Sequence, residues 1–152
     1  MKIVIVSGYF NPIHPGHLDL ISEAKKLGDF LVIIVNSDDQ VRQKASIPFM
    51  DEDARLRIVS DLKDVDMAFV AVDEDTCVTK SIDLINSYFP TFPMVFANGG
   101  DRNQSTHTSN EIRYCKDNDI ELAYGVGGNN KPYSSSKLIS GASVAYRAYC
   151  GK

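Results

Sequence analysis

The sequence lacks several features, and each absence narrows its function. No apolar run approaches the roughly 20 residues of a membrane-spanning helix. The opening MKIVIVSGYF is too short an apolar stretch for a secretory signal and has no small-residue cleavage site. Charge bias is small, with a net −4 over 152 residues, so no general attraction to nucleic acid is expected. Cysteine is scarce: Cys77, Cys115 and Cys150 match no zinc or disulfide spacing. Reduced thiols in a cytoplasmic protein are therefore expected. No repeat, linker, low-complexity tract or glycine-rich phosphate loop is present. One domain spanning 1–152 is expected, long enough for a full-sized core.

What is present alternates in character. Runs rich in β-branched residues at 2–7, 30–37, 67–72, 93–100 and 120–125 predict five strands. Between them, 17–28, 52–62, 78–89, 110–119 and 134–149 predict helices. The first helix is expected to bury Leu18, Ile21, Ala24 and Leu27, and the second Leu56, Val59 and Leu62 behind an Asp51 cap. Continuous apolar strands separated by helices predict a Rossmann-like, doubly wound α/β sheet of about five parallel strands. Ligands in such sheets bind beyond the carboxyl ends of the strands. That rule selects the loops 8–16, 37–50, 97–109 and 125–134.

The first loop, SGYFNPIHPGH (7–17), holds two of the three histidines. Gly8 lets the backbone turn closely, Pro12 and Pro15 stiffen the loop, and Gly16 is expected to leave room for a phosphate. The amides of Tyr9 and Phe10 are expected to face a ligand. His14 and His17 share one face if a helix begins near Pro15. Amides at such a helix start attract anions. The SSS run at 134–136 opens the last helix in the same way, with Ser134 as its expected cap.

The block GYFNPIHPGH resembles the G-x-F-[D/N]-P-x-H-x-G-H signature of the cytidylyltransferase-like nucleotidyltransferase superfamily, which includes glycerol-3-phosphate cytidylyltransferase and heptose-1-phosphate adenylyltransferase. The similarity continues through KLGDFLVIIVNSDDQVRQK, FMDEDARLRIVSDLKDVD, NGGDR and YSSSKLI, in order along most of the chain. Such enzymes join a nucleoside triphosphate to a phosphate-bearing acceptor and release pyrophosphate. The resemblance implies that His17 contacts the α-phosphate in the transition state and that His14 holds the departing phosphates. It implies that Lys44 bridges acceptor and triphosphate. In the 98–102 turn, Asn98, Gly99 and Gly100 are expected against ribose or base, Asp101 on ribose hydroxyls and Arg102 on an acceptor phosphate or phosphonate. Ser134, Ser135 and Ser136 are expected at the β,γ-phosphates. Arg55 and Asp66 are expected in structural or subunit-contact roles. Two departures stand out: Ser46 replaces a lysine often found in cytidylyl members, and 125–133 contains no arginine.

The leading expectation is a cytidylyltransferase using CTP. A small pyrimidine pocket framed by the 97–101 turn, in a small chain, motivates it. The alternatives are an ATP-dependent adenylyltransferase acting on a sugar 1-phosphate, and a non-catalytic nucleotide sensor. Mg2+ is expected, held mainly by the nucleotide phosphates. A homodimer is also expected from the resemblance.

Overall fold

The structure is a computed structural model and describes residues 1–99, 109–128 and 134–150. Five strands form one sheet: β1 (Ile3–Gly8), β2 (Phe30–Val35), β3 (Met67–Val70), β4 (Met94–Gly99) and β5 (Glu121–Val126). All four pairings are parallel, in the order β3-β2-β1-β4-β5. The expected fold class is therefore observed. The chain winds outward from β1 in one direction and then returns to its other side with β4. The switch between β1 and β4 opens a crevice at their carboxyl ends.

Side-chain alternation explains the layers. Ile3, Ile5, Val32, Ile34 and Phe96 point to one face and pack with Ile82 and Ile85 of α4 (Thr79–Tyr88) and Cys115 of α5 (Ser109–Asp117). Val4, Val6, Leu31, Ile33, Val35 and Val95 point to the other face. They meet Ile21 and Ala24 of α1 (Pro15–Lys25) and Val59 of α3 (Glu52–Ser60). Leu18 and Leu27, expected in the core, are 44% and 37% exposed, because only one narrow stripe of α1 faces the sheet. The expected stripe on α3 holds: Val59 is buried, with Leu56 and Leu62 packed against the same cluster. Asp51 caps α3 by accepting from the Ala54 amide at 2.8 Å.

The expected loop 37–50 contains a helix, α2 (Asp38–Gln43). Ser37 caps it, and the Gln40 side chain accepts from the Ser37 amide in return. Gln40 is fully buried and its amide donates to the Asp75 and Cys77 carbonyls. This helix is too short and polar to show an apolar period. The last helix, α6 (Ser135–Cys150), starts beside the crevice. Among the described residues, no helix is long and apolar enough to cross a membrane.

Candidate active site

The sequence block after β1 folds as a tight loop into the start of α1. Gly8 is required by a close approach: a Cβ there would lie 2.7 Å from Cζ of Phe10. The Phe10 ring is 1% exposed and its backbone has φ +49°, a left-handed conformation unusual for an aromatic residue. That local strain turns the chain so that the next residues reach α1.

His14 is the N-cap of α1 and Pro15 its first residue. Nδ1 of His14 accepts from the Gly16 amide at 3.1 Å, and Nδ1 of His17 accepts from the His14 amide at 3.1 Å. This is a capping box built from two imidazoles. Because each Nδ1 accepts, the hydrogen-bond network assigns the ring proton to Nε2 in both. The rings stack with centroids 3.8 Å apart, and the Phe10 ring meets His17 edge-on at 5.0 Å. The space at Gly16 has a structural use besides the one expected. A Cβ at Gly16 would lie 2.9 Å from Cε1 of His14, so the missing side chain makes room for that ring.

Lys44 is the C-cap of α2, not a free loop residue. Its ammonium lies 4.2 Å from the centre of the Tyr9 ring, a cation–π contact. Two buried polar groups hold this region. Arg55, 1% exposed, donates from Nη1 to the Tyr9 and Asn36 carbonyls at 2.7 Å each. Its Nε donates to the Met50 carbonyl at 3.0 Å and its Nη2 to Asp38 at 2.7 Å. Asn11, 4% exposed, binds the backbone of Ile47 and Phe49 through its amide. Arg55 is therefore an internal brace and not a subunit contact. Asp66 lies at the surface, its side chain 34% exposed, where it accepts from the Leu31 amide at 2.8 Å and pairs with Lys25; its expected structural role is seen in these bonds.

At the start of α6, the Ser134 carbonyl accepts from the Leu138 amide at 2.9 Å. The Ser134 hydroxyl reaches the Lys137 amide only at 3.5 Å, so its expected capping bond is long. The Ser135 hydroxyl donates to the Pro12 carbonyl at 2.8 Å and ties α6 to the histidine loop. In this arrangement that proton faces the loop, not a ligand.

A single cleft of 510 Å³ collects most of the expected site. Gly8, Tyr9, Phe10, His14, Gly16, His17, Lys44, Asn98, Gly99, Ser134, Ser135 and Ser136 all line it. Gly100, Asp101 and Arg102 lie outside the described residues. Sequence reasoning missed Asn11 and Asp19, which also line the cleft; Arg55, expected in a structural or subunit-contact role, is the brace behind it. Asn11 fills the [D/N] position of the signature, but nothing local shows its burial; its partners lie 36 and 38 residues away.

The arrangement joins Nε2–H donors, an ammonium and the start of α6 around one volume, a set suited to phosphates; the Gly16 and His17 amides of α1 are already bonded to His14. The comparisons agree with that chemistry. A family model described as cytidylyltransferase-like matches residues 5–141. An FAD synthase from Ferroglobus placidus is 48% identical over 75 residues, 49% of each chain. The bifunctional protein HldE of Actinobacillus succinogenes is 33% identical over 134 residues, covering 76% of this chain and 28% of that protein. The chain spans about half the length, or less, of these curated relatives. Among solved structures, a lipopolysaccharide core biosynthesis protein from Thermoplasma volcanium superposes with a TM-score of 0.61 at 29% identity, over 82% of this chain and 93% of that one. With the histidine loop, the 3-2-1-4-5 sheet and the model match agreeing, the chain belongs to the cytidylyltransferase-like family, a family of nucleotidyltransferases.

Proposed function

We propose that the chain is an adenylyltransferase that joins the AMP of ATP to the phosphate of a phosphomonoester and releases pyrophosphate. The observation that carries this reading is the convergence of His14, His17, Lys44 and the start of α6 on one cleft. An acceptor phosphate oxygen, already ionised at neutral pH, attacks the α-phosphorus. The bond from that phosphorus to the bridging oxygen breaks, and its electron pair leaves with pyrophosphate. No general base is needed, so catalysis rests on alignment and on stabilising charge at the α-phosphate. The Nε2–H of His17 is assigned to the α-phosphate and that of His14 to the leaving phosphates. Lys44 is assigned to the acceptor phosphate, and the α6 amides at Ser135 and Ser136 to the β,γ-phosphates.

ATP is favoured over CTP by the relatives. The product of an FAD synthase contains AMP, and several of the similar proteins carry that name. The CTP expectation rested on a turn whose Gly100 and Asp101 lie outside the described residues. For the acceptor, a second cavity of 600 Å³ begins at Gln43, beside Lys44 in the chain. Its lining includes Asp73, Glu74, Asp75 and Asp117 beside Lys80 and Arg113, and carboxylate-rich polar walls suit the hydroxyls of an acceptor body such as a sugar. Among the described residues, no group of three or more His, Cys, Asp or Glu side chains forms a metal site. The proposal takes Mg2+ as part of the substrate, as the magnesium complex of ATP, because a triphosphate binds that cation through its own oxygens. The reading assigns the protein to the cytoplasm. A homodimer is also proposed, and light scattering at micromolar concentration is expected to give twice the chain mass; a monomer there refutes it.

The deciding experiment measures pyrophosphate release with ATP, CTP, GTP and UTP against flavin mononucleotide and a panel of sugar 1-phosphates. Release with ATP and one such acceptor is expected. Preference for CTP returns the site to a cytidylyltransferase. Nucleotide binding without release under every pair favours the sensor reading.

A further inference from the structure

We infer that Asn11 is a positioning residue that sets where Lys44 stands and so governs the grip on the acceptor phosphate. The inference rests on the acceptor role proposed for Lys44. Directly after Lys44 the chain turns through Ala45, whose φ of +56° is a left-handed conformation that a non-glycine residue adopts at a cost. Segment 45–50 then passes along the histidine loop. Burial does not hold it down, since Ile47 and Phe49 are 75% and 57% exposed. Its first two residues are held to α2 by the Ala45 and Ser46 amides, which donate to the Arg42 and Val41 carbonyls at 2.9 and 3.2 Å; beyond them its anchors are polar side chains. The Asn11 amide nitrogen donates to the Ile47 carbonyl at 2.8 Å, while the Asn11 carbonyl oxygen accepts from the Phe49 amide. Arg55 holds the far end at the Met50 carbonyl.

The chemistry of these contacts selects asparagine. One end must donate and the other must accept, and the backbone groups fix which is which. Aspartate keeps the bond from Phe49 but faces the Ile47 carbonyl with an acceptor; alanine loses both. Asn11 also sits two residues after Tyr9, whose ring carries the Lys44 ammonium. A single buried amide thus links the loop under the lysine to the segment behind it. Without it, segment 47–50 lifts from the histidine loop, and the Tyr9 ring and the Lys44 ammonium on it lose their fixed spacing.

A double-mutant cycle tests this, using ATP and whichever of flavin mononucleotide or a hexose 1-phosphate supports pyrophosphate release. N11A and K44A are each expected to raise the acceptor KM about tenfold, with the ATP KM changed by less than about twofold. The double variant is expected to be no worse than K44A, because Asn11 acts through the lysine. Additive effects, or a rise in the ATP KM of N11A, overturn the inference and mark Asn11 as a direct nucleotide contact or a general stabiliser. An unchanged acceptor KM in K44A overturns both this inference and the acceptor role of Lys44. N11D, which keeps the contact to Phe49, takes the same cycle should N11A fold poorly. A second readout needs no acceptor: hydrogen exchange of the substrate-free protein is expected to quicken across 47–50 in N11A. Unchanged exchange there overturns the inference whatever the kinetics show.

Discussion

Replacing Arg55 with methionine is expected to destabilise the protein by about 3–5 kcal/mol, the usual cost of removing one partner of a buried ion pair. The structure supports the upper part of that range. The guanidinium is fully covered, and the Asp38 side chain is only 17% exposed. Methionine fills much of the volume but has no donors. It leaves the Asp38 carboxylate without its cation and the carbonyls of Tyr9, Asn36 and Met50 without their Arg55 donors. A small domain has about 5–15 kcal/mol of stability in all, so the loss is a large share. With an m-value of about 2 kcal/mol per molar, the urea midpoint falls by about 2 M. Circular dichroism against urea measures this, with m required to stay constant. Adding Asp38→Asn to Arg55→Met is expected to recover part of the loss, because the unpaired carboxylate is then gone. A loss below about 1 kcal/mol, the range of an exposed pair, would refute the reasoning.

Three further outcomes are expected. His17→Ala lowers turnover by ~10²–10³ through loss of one charge-stabilising donor, with little change in the ATP KM; near-normal turnover removes His17 from the mechanism. Of the three cysteines, exposed Cys150 reacts with a thiol reagent in the native protein, whereas Cys115 reacts only on unfolding, because burial and then the Glu111 charge push its thiol up to about 12. Rapid labelling of Cys115 in native protein, located by mass spectrometry, contradicts its placement in the core. Burial alone would raise the Asp66 carboxyl, but the Lys25 and Leu31 N–H bonds outweigh it and hold it below the ordinary aspartate value of 3.8. A lowered carboxyl stabilises the fold above its unfolded value and loses that contribution as pH falls through the folded one. Asp66→Asn should therefore flatten the fall of melting temperature below about pH 4, and an unchanged acid profile counts against the pairing.

The sequence by itself determined the parts that rest on local pattern. The IVIV and VIIV runs read as buried strands, Pro15 marked the entry to α1, and Asp51 marked the entry to α3. The spacing of His14 and His17 was enough to put both rings on one helix start, and the family resemblance followed from contiguous motifs. Tertiary structure decided the rest. Helix α2 has six residues with almost no apolar stripe, and buried Gln40, bonded to 75 and 77, secures it. Arg55 is expected in a structural or subunit-contact role, and only the partner 46 positions away at Tyr9 shows that the role is internal. Gly16 reads as space for a phosphate, and only the structure shows that a side chain there would also strike the His14 ring. Asn11 reads as part of a turn until the chain from β2 returns across it. Periodicity and capping depend on neighbours within a turn or two, so they survive in the sequence. A buried hydrogen bond between distant segments depends on how the whole sheet brings them together, and no spacing along the chain encodes that meeting.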